Sequence, residues 1–187
     1  MSGYCHIAPH TLAVDATVNY FATHGKPTID ALETALCHVG RNSGPELLYM
    51  LHEERLLTLP ACRRVLSAVW VDCEWPEAAL DDEYWRGLFD WVDYTVNGRK
   101  AERPTAPLAL YRGASRERRE GWSWTTDPSV AQWFAERSNI FHPEHPARVW
   151  KASVNPLFLL ACDTATRPGE PQYILDPWGL DEVVEAP

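Results

Sequence analysis

Three short segments in the last eighty residues carry the side chains with the widest chemical scope: Leu110-Tyr111-Arg112-Gly113, Ser123-Trp124-Thr125-Thr126-Asp127 and Gly169-Glu170-Pro171-Gln172-Tyr173. The planar guanidinium fork of Arg112 matches a phosphate or a carboxylate. Ser123 and Thr125 are hydroxyls able to orient a polar group, and Glu170 brings a charge two residues before the neutral amide of Gln172. Taken singly, none of these requires a function. Arg112 reads as a surface ion pair, Gly113 as a turn glycine, Ser123 and Thr125 as hydroxyls pairing across a strand edge, and Tyr111, Trp124 and Phe134 as core aromatics.

Other polar groups offer less. His52-Glu53-Glu54 lacks a second histidine four residues on and reads as a solvated charged face, while His142 and His145 sit in a proline-rich loop without two further ligands. Arg116, Arg118 and Arg119 alternate with Glu117 and Glu120, the pattern of a solvated loop. The five cysteines (Cys5, Cys37, Cys62, Cys73 and Cys162) form no C-x-x-C pair and read as buried free thiols. No metal is expected.

The elements that must position these side chains fall into two groups. Helices are expected through the first hundred residues and short strands through the last eighty. Thr28 precedes Ile29, Leu32, Leu36 and Val39 at helical spacing, with Gly40 as the stop. Pro45 and Pro60 suit the first turns of two more helices, the second burying Cys62, Val65, Leu66 and Val69 with Arg63 and Arg64 outside. Asp81, Asp82 and Glu83 open a fourth helix, continued by Tyr84, Leu88, Trp91 and Thr95 and ended by Asn97-Gly98. Strands are expected at Leu108–Tyr111, Trp122–Thr126, Val149–Val154, Leu157–Cys162 and Gln172–Leu175, with an Asp127-Pro128-capped helix from Ser129 to Arg137.

At 187 residues and 45% apolar content the chain suits one continuous globular domain, divided as a helical lobe over 1–105 and a stranded core over 106–187. No apolar run approaches the roughly 18 residues of a membrane span, and Met1 to His10 lacks the order of a secretory signal, so a cytoplasmic location without membrane contact is expected. A net charge of −9 opposes bulk attraction to a nucleic-acid backbone but excludes no local contact.

The three segments, in this order and each at a strand end, resemble the ADP-ribosyltransferase family, specifically the branch with an Arg, Ser and Glu signature found in bacterial toxins and phage proteins. Arg112 matches the strand-borne arginine. Ser123-Trp124-Thr125 with Ala131, Phe134 and Ala135 matches the second motif and its helix, and Glu170-Pro171-Gln172 matches the turn before the third motif's apolar strand. The resemblance covers Leu108 to Leu180. It implies an α+β fold in which an N-terminal helical lobe packs on a split antiparallel β-sandwich, with 106–187 binding NAD.

The resemblance also implies roles. Breaking the nicotinamide–ribose bond builds positive charge on the ribose, which a carboxylate beside C1 stabilises. Gln172 stands at the position of that catalytic glutamate, and Glu170 at the residue that activates the acceptor. Arg112 would hold a phosphate or the adjoining ribose, and Gly113 would let the backbone approach the nicotinamide amide. Ser123 would orient the carboxylate or ribose and Thr125 support the turn, while Tyr111, Trp124 and Phe134 would stack on nicotinamide. A neutral amide at 172 removes about 3 kcal/mol of stabilisation, on the order of a hundredfold in rate. Three explanations of Gln172 are open: a Glu-to-Gln change made to disarm a toxic enzyme, which is preferred, a natural pseudoenzyme, or a shifted register with Glu170 catalytic.

The function implied is mono-ADP-ribosyl transfer, of toxin or phage-conflict type, from NAD to a macromolecular acceptor that is protein or nucleic acid, with an antitoxin protein as a further partner. The alternatives are a non-catalytic binding module on the same fold and an NAD glycohydrolase.

Overall fold

The computed structural model describes residues 9–186, which leaves Cys5 and the first eight positions outside the described residues. Two compact units are present, Met1–Val92 and Asp93–Pro187. The first contains α1 (Pro9–His24), α2 (Ile29–Val39), α3 (Gly44–Glu53), α4 (Leu59–Asp72), α5 (Pro76–Ala79) and α6 (Asp82–Val92). Local chemistry sets their ends: Thr28 and Thr58 accept from Ala31 N at 3.2 Å and Ala61 N at 3.4 Å, and Gly40 turns α2 off at φ 84°. Pro45 and Pro60 occupy first turns, as anticipated. Leu32, Leu47, Leu48, Leu51, Leu66 and Trp70 fill the core, with the Trp70 and Trp85 rings edge to face at 4.9 Å.

Helix α6 departs from expectation in phase and length. Its buried face is Trp85, Leu88, Phe89 and Val92, so Trp91 is exposed, and the helix ends three residues before Thr95. Asn97-Gly98 is not a helix stop. Both residues have positive φ, 52° and 70°, the requirement of a tight hairpin turn, and they join β1 (Thr95–Val96) to β2 (Arg99–Lys100). This ribbon belongs to the second unit because β1 pairs with a later strand, which puts the unit boundary at 92/93 rather than 105/106.

The second unit continues with β3 (Leu108–Ser115), β4 (Ser123–Trp124), α7 (Pro128–Phe141), β5 (Ala147–Val154), β6 (Leu159–Asp163), β7 (Gln172–Leu175) and β8 (Val183–Glu185). Strand β6 starts late because Pro156, with Asn155 accepting from Leu157 N at 3.0 Å, makes a single turn first. One sheet has the order β2-β1-β6-β7-β4 and the other β3-β5-β8. The pairing is antiparallel except between β1 and β6, which run parallel, so the expected wholly antiparallel sandwich is corrected there. Leu110, Ala114, Trp150 and Val154 from one sheet share a core with Trp124, Leu159, Cys162 and Leu175 from the other.

The fold is therefore mixed α and β, helical in the first unit and two-sheeted in the second. Among the described residues, no helix is long and apolar enough to cross a membrane. Cys62, Cys73 and Cys162 are buried free thiols, whereas Cys37 is exposed, on the outer side of α2 opposite Leu32, Ala35 and Val39. Burial pushes the Cys62 thiol up to about 12.

Candidate functional site

The two sheets meet at one point. Tyr111 N donates to Thr125 O at 2.7 Å and Thr125 N to Tyr111 O at 2.8 Å, which stitches β3 to the end of β4. Side chains of paired residues lie on the same face of a sheet, and neighbours along a strand lie on opposite faces. On β3, Leu110 and Ala114 enter the shared core, so Arg112 between them faces that side and Tyr111 the other. On β4, Trp124 enters the core and Ser123 and Thr125 face away from it.

Strand β7 completes the arrangement. Its register with β4 sets Ser123 against Ile174 and Trp124 against Tyr173, and the pairing ends there, one residue before Thr125. On the other side Gln172 is opposite Asp163 of β6. Tyr111 is thus bridged to Thr125 and Gln172 is paired with Asp163, and the strand alternation turns all four, with Ser123, away from the core shared by the two sheets.

Gln172 carries the most unusual feature of these residues. Its Oε1 is buried and, among the described residues, is the buried side-chain oxygen that accepts no hydrogen bond. Such an acceptor costs roughly 1–3 kcal/mol if nothing donates to it. Glu170 is partly exposed in the turn before β7, where its N donates to Arg167 O at 3.0 Å beside Gly169 at φ 88°. The start of this loop is pinned twice. Asp163 Oδ1 accepts from Ala165 N and Thr166 N at 3.1 and 2.9 Å, and Asn97 Oδ1 accepts from Thr164 N at 2.7 Å. The Asn-Gly hairpin therefore helps to shape the loop that leads to Glu170.

Several predicted site residues are elsewhere. The side chain of Arg112 is on the core face, and its guanidinium donates to Ser123 O at 2.8 Å and Arg118 O at 3.1 Å. It clamps the segment leading into β4 to β3. Trp124 is 2% exposed, with its Nε1 donating to Gly121 O at 2.7 Å, so it is a core residue and cannot stack on a ligand. Thr125 is buried, and its Oγ1 accepts from Asp127 N at 3.1 Å at the head of α7.

Gly113 is explained by helix packing. A Cβ there would overlap the Ala131 carbonyl and lie 2.6 Å from Ala135 N, so the bare backbone lets α7 settle on β3. Phe134 lies on that helix, its ring edge to face with Trp133 at 4.9 Å. Asp127 holds the head of α7, accepting from Ser129 N at 2.8 Å and Ser129 Oγ at 2.6 Å; these bonds hold its carboxyl below the usual carboxylate range. On the core face, burial beside Cys162 pushes the Tyr173 phenol up to about 12.

Two open grooves of about 640 and 610 Å³ flank the Arg148–Glu185 ion pair on the three-stranded sheet. Tyr111, Lys151, Gln132 and Ala135 help to line the first, and Arg119, His145 and Trp150 the second. Arg112, Ser123, Glu170 and Gln172 line neither. Among the described residues no group of three or more His, Cys, Asp or Glu could hold a metal ion.

Sequence reasoning missed Lys151, opposite Tyr111 on β5, and Asp163, opposite Gln172. Both become visible only through strand register, which no local motif encodes. Comparison of the chain with protein families, with curated proteins and with solved structures found no match.

Proposed function

We propose that the second unit is an ADP-ribosyltransferase-like fold that takes NAD along Tyr111, Thr125 and Gln172, with mono-ADP-ribosyl transfer to a macromolecular acceptor as its function. The observation that carries this reading is the buried Oε1 of Gln172, which accepts no hydrogen bond among the described residues, on the strand that pairs with β4 and its Ser123. A ribose hydroxyl is the kind of donor that would satisfy it.

In transfer, the bond from ribose C1 to the nicotinamide nitrogen breaks and its electron pair neutralises the pyridinium. The acceptor's lone pair then bonds to C1, and its proton passes to a base, the role assigned to Glu170. A carboxylate at 172 would stabilise the positive ribose; an amide can accept a hydroxyl but supplies no charge. Turnover by this sequence is accordingly weak. Arg112 serves the site through the backbone, by holding the approach to β4. The reading carries with it a cytoplasmic, toxin-like or phage-conflict setting and an antitoxin partner.

Restoring the charge tests the reading. Gln172→Glu is expected to raise nicotinamide release from NAD on the order of a hundredfold over the parent chain. Equal rates in the two folded proteins would reject transfer. The neutral amide itself favours a second reading, a module that binds NAD without consuming it, for which calorimetry would show binding and no turnover at either residue.

A further inference from the structure

Helix α7 covers only part of the sheet it packs on. The Ala131 carbonyl and the Ala135 amide come so close to Gly113 that the helix lies over β3. Strands β5 and β8 follow β3 across the sheet, about 4.8 Å apart from one to the next, so the helix side of these two is only partly covered. Val184, paired with Lys151 on that side, is 45% exposed. The 640 Å³ groove occupies this step. Gln132, Ala135 and Asn139, on one face of α7, form its wall, and Val149 and Lys151, alternate residues of β5, form its floor with Tyr111, which is paired with Lys151.

We propose that this groove binds a phosphate ester of nucleotide size, with the phosphate on the Lys151 ammonium and the Tyr111 hydroxyl. The site goes beyond the NAD reading and holds for a free nucleotide whether or not NAD is consumed at Gln172.

The polar groups of the lining differ in what they are already bonded to. Asn139 spends both ends of its amide on Ala147, Nδ2 donating to the carbonyl at 3.1 Å and Oδ1 accepting from the amide at 2.6 Å. Gln132 donates to Glu136 at 2.8 Å, and Arg148 is held by Glu185 at 2.8 Å. Lys151 and Tyr111 are different. Among the described residues neither the ammonium nor the phenol hydroxyl has a hydrogen-bonding or ion-pairing partner, and the Nζ lies 5.9 Å from the centre of the Tyr111 ring. Both residues are half-buried.

Two donors, one of them charged, are thus presented side by side on the floor, and the acid in the lining, Glu185, already has its charge answered by Arg148. This is the polarity of an anion site. Beyond the two donors the surface is apolar at Ala135 and Val149, between a helix and a strand that hold their places. A bare phosphate would leave most of 640 Å³ to water, whereas an ester with a ring system fills a groove of this size.

Calorimetry on the full chain with AMP, adenosine and inorganic phosphate tests the site. AMP should bind, with adenosine and inorganic phosphate each about tenfold weaker or more. Lys151→Met, which keeps the aliphatic stem, should weaken AMP about tenfold, and Lys151→Arg should recover most of that loss. Tyr111→Phe keeps the ring and should weaken AMP about threefold. Arg116→Met takes the same charge from the second groove and should leave AMP affinity unchanged. Absent AMP binding, adenosine or inorganic phosphate bound as tightly as AMP, or equal effects of Lys151→Met and Arg116→Met would each overturn the site. Nicotinamide release by Gln172→Glu without lysine-dependent AMP binding would retain transfer and reject the groove site. Lysine-dependent AMP binding without any release would do the reverse.

Discussion

Gln172 is where structure and chemistry press hardest on one another. Its Oε1 is buried and accepts no hydrogen bond from the described residues, a state that costs roughly 1–3 kcal/mol where nothing else donates to it. Gln172→Met should therefore raise the free energy of unfolding by about 1 kcal/mol in urea titrations, while weakening NAD binding. A stability loss would mean that the oxygen is satisfied in solution. The motifs around this residue were legible as sequence, but their facing was read incompletely. Consecutive strand residues point to opposite faces, so Tyr111 and Arg112 cannot both line one cleft, nor can Ser123 and Trp124. The alternation was already visible in the order of the residues. Which member of each pair faces the ligand depended on Leu110, Ala114 and Trp124 entering the core.

Among the elements, α7 and the β1–β2 ribbon do most to position the candidate site. Helix α7 lies against Gly113 so closely that Gly113→Ala should destabilise the protein by about 3 kcal/mol, measured by denaturant unfolding, because the obstacle is helix backbone and not a side chain that can swing aside. An unchanged midpoint would contradict this packing. The ribbon is anchored by Asp93, which accepts from Tyr94 N at 2.7 Å and pairs with Lys100 and Arg103 at 3.0 Å each. The Tyr94 amide first, then the Lys100 and Arg103 charges, hold its carboxyl down to about 2.

An unfolded aspartate titrates near 3.9, so the unfolded chain binds the proton first. The stabilisation is complete above that pH and fades as pH falls towards about 2. Asp93→Asn, which tolerates the φ of 63°, should show a shallower acid loss in that window than the parent, read as unfolding midpoints against pH. The helices with proline and threonine starts were legible because their caps are local. The ribbon was not, since Asn-Gly is a plausible end to a helix until a partner strand, β6, is known.

At the scale of the whole molecule, the division into a helical unit and a stranded unit followed from the change of hydrophobic period along the chain, but its position did not. The unit boundary is set by the pairing of β1 with β6, across more than sixty intervening residues. The account as a whole depends on one face of the second unit receiving a dinucleotide. A crystal structure of the full chain with NAD tests that most directly. It should show a hydroxyl of the nicotinamide ribose within about 3 Å of Gln172 Oε1, and the rest of the ligand running across Thr125 towards Tyr111. NAD seated instead in the groove lined by Arg119, His145 and Trp150, or absent at saturating concentration, would contradict it.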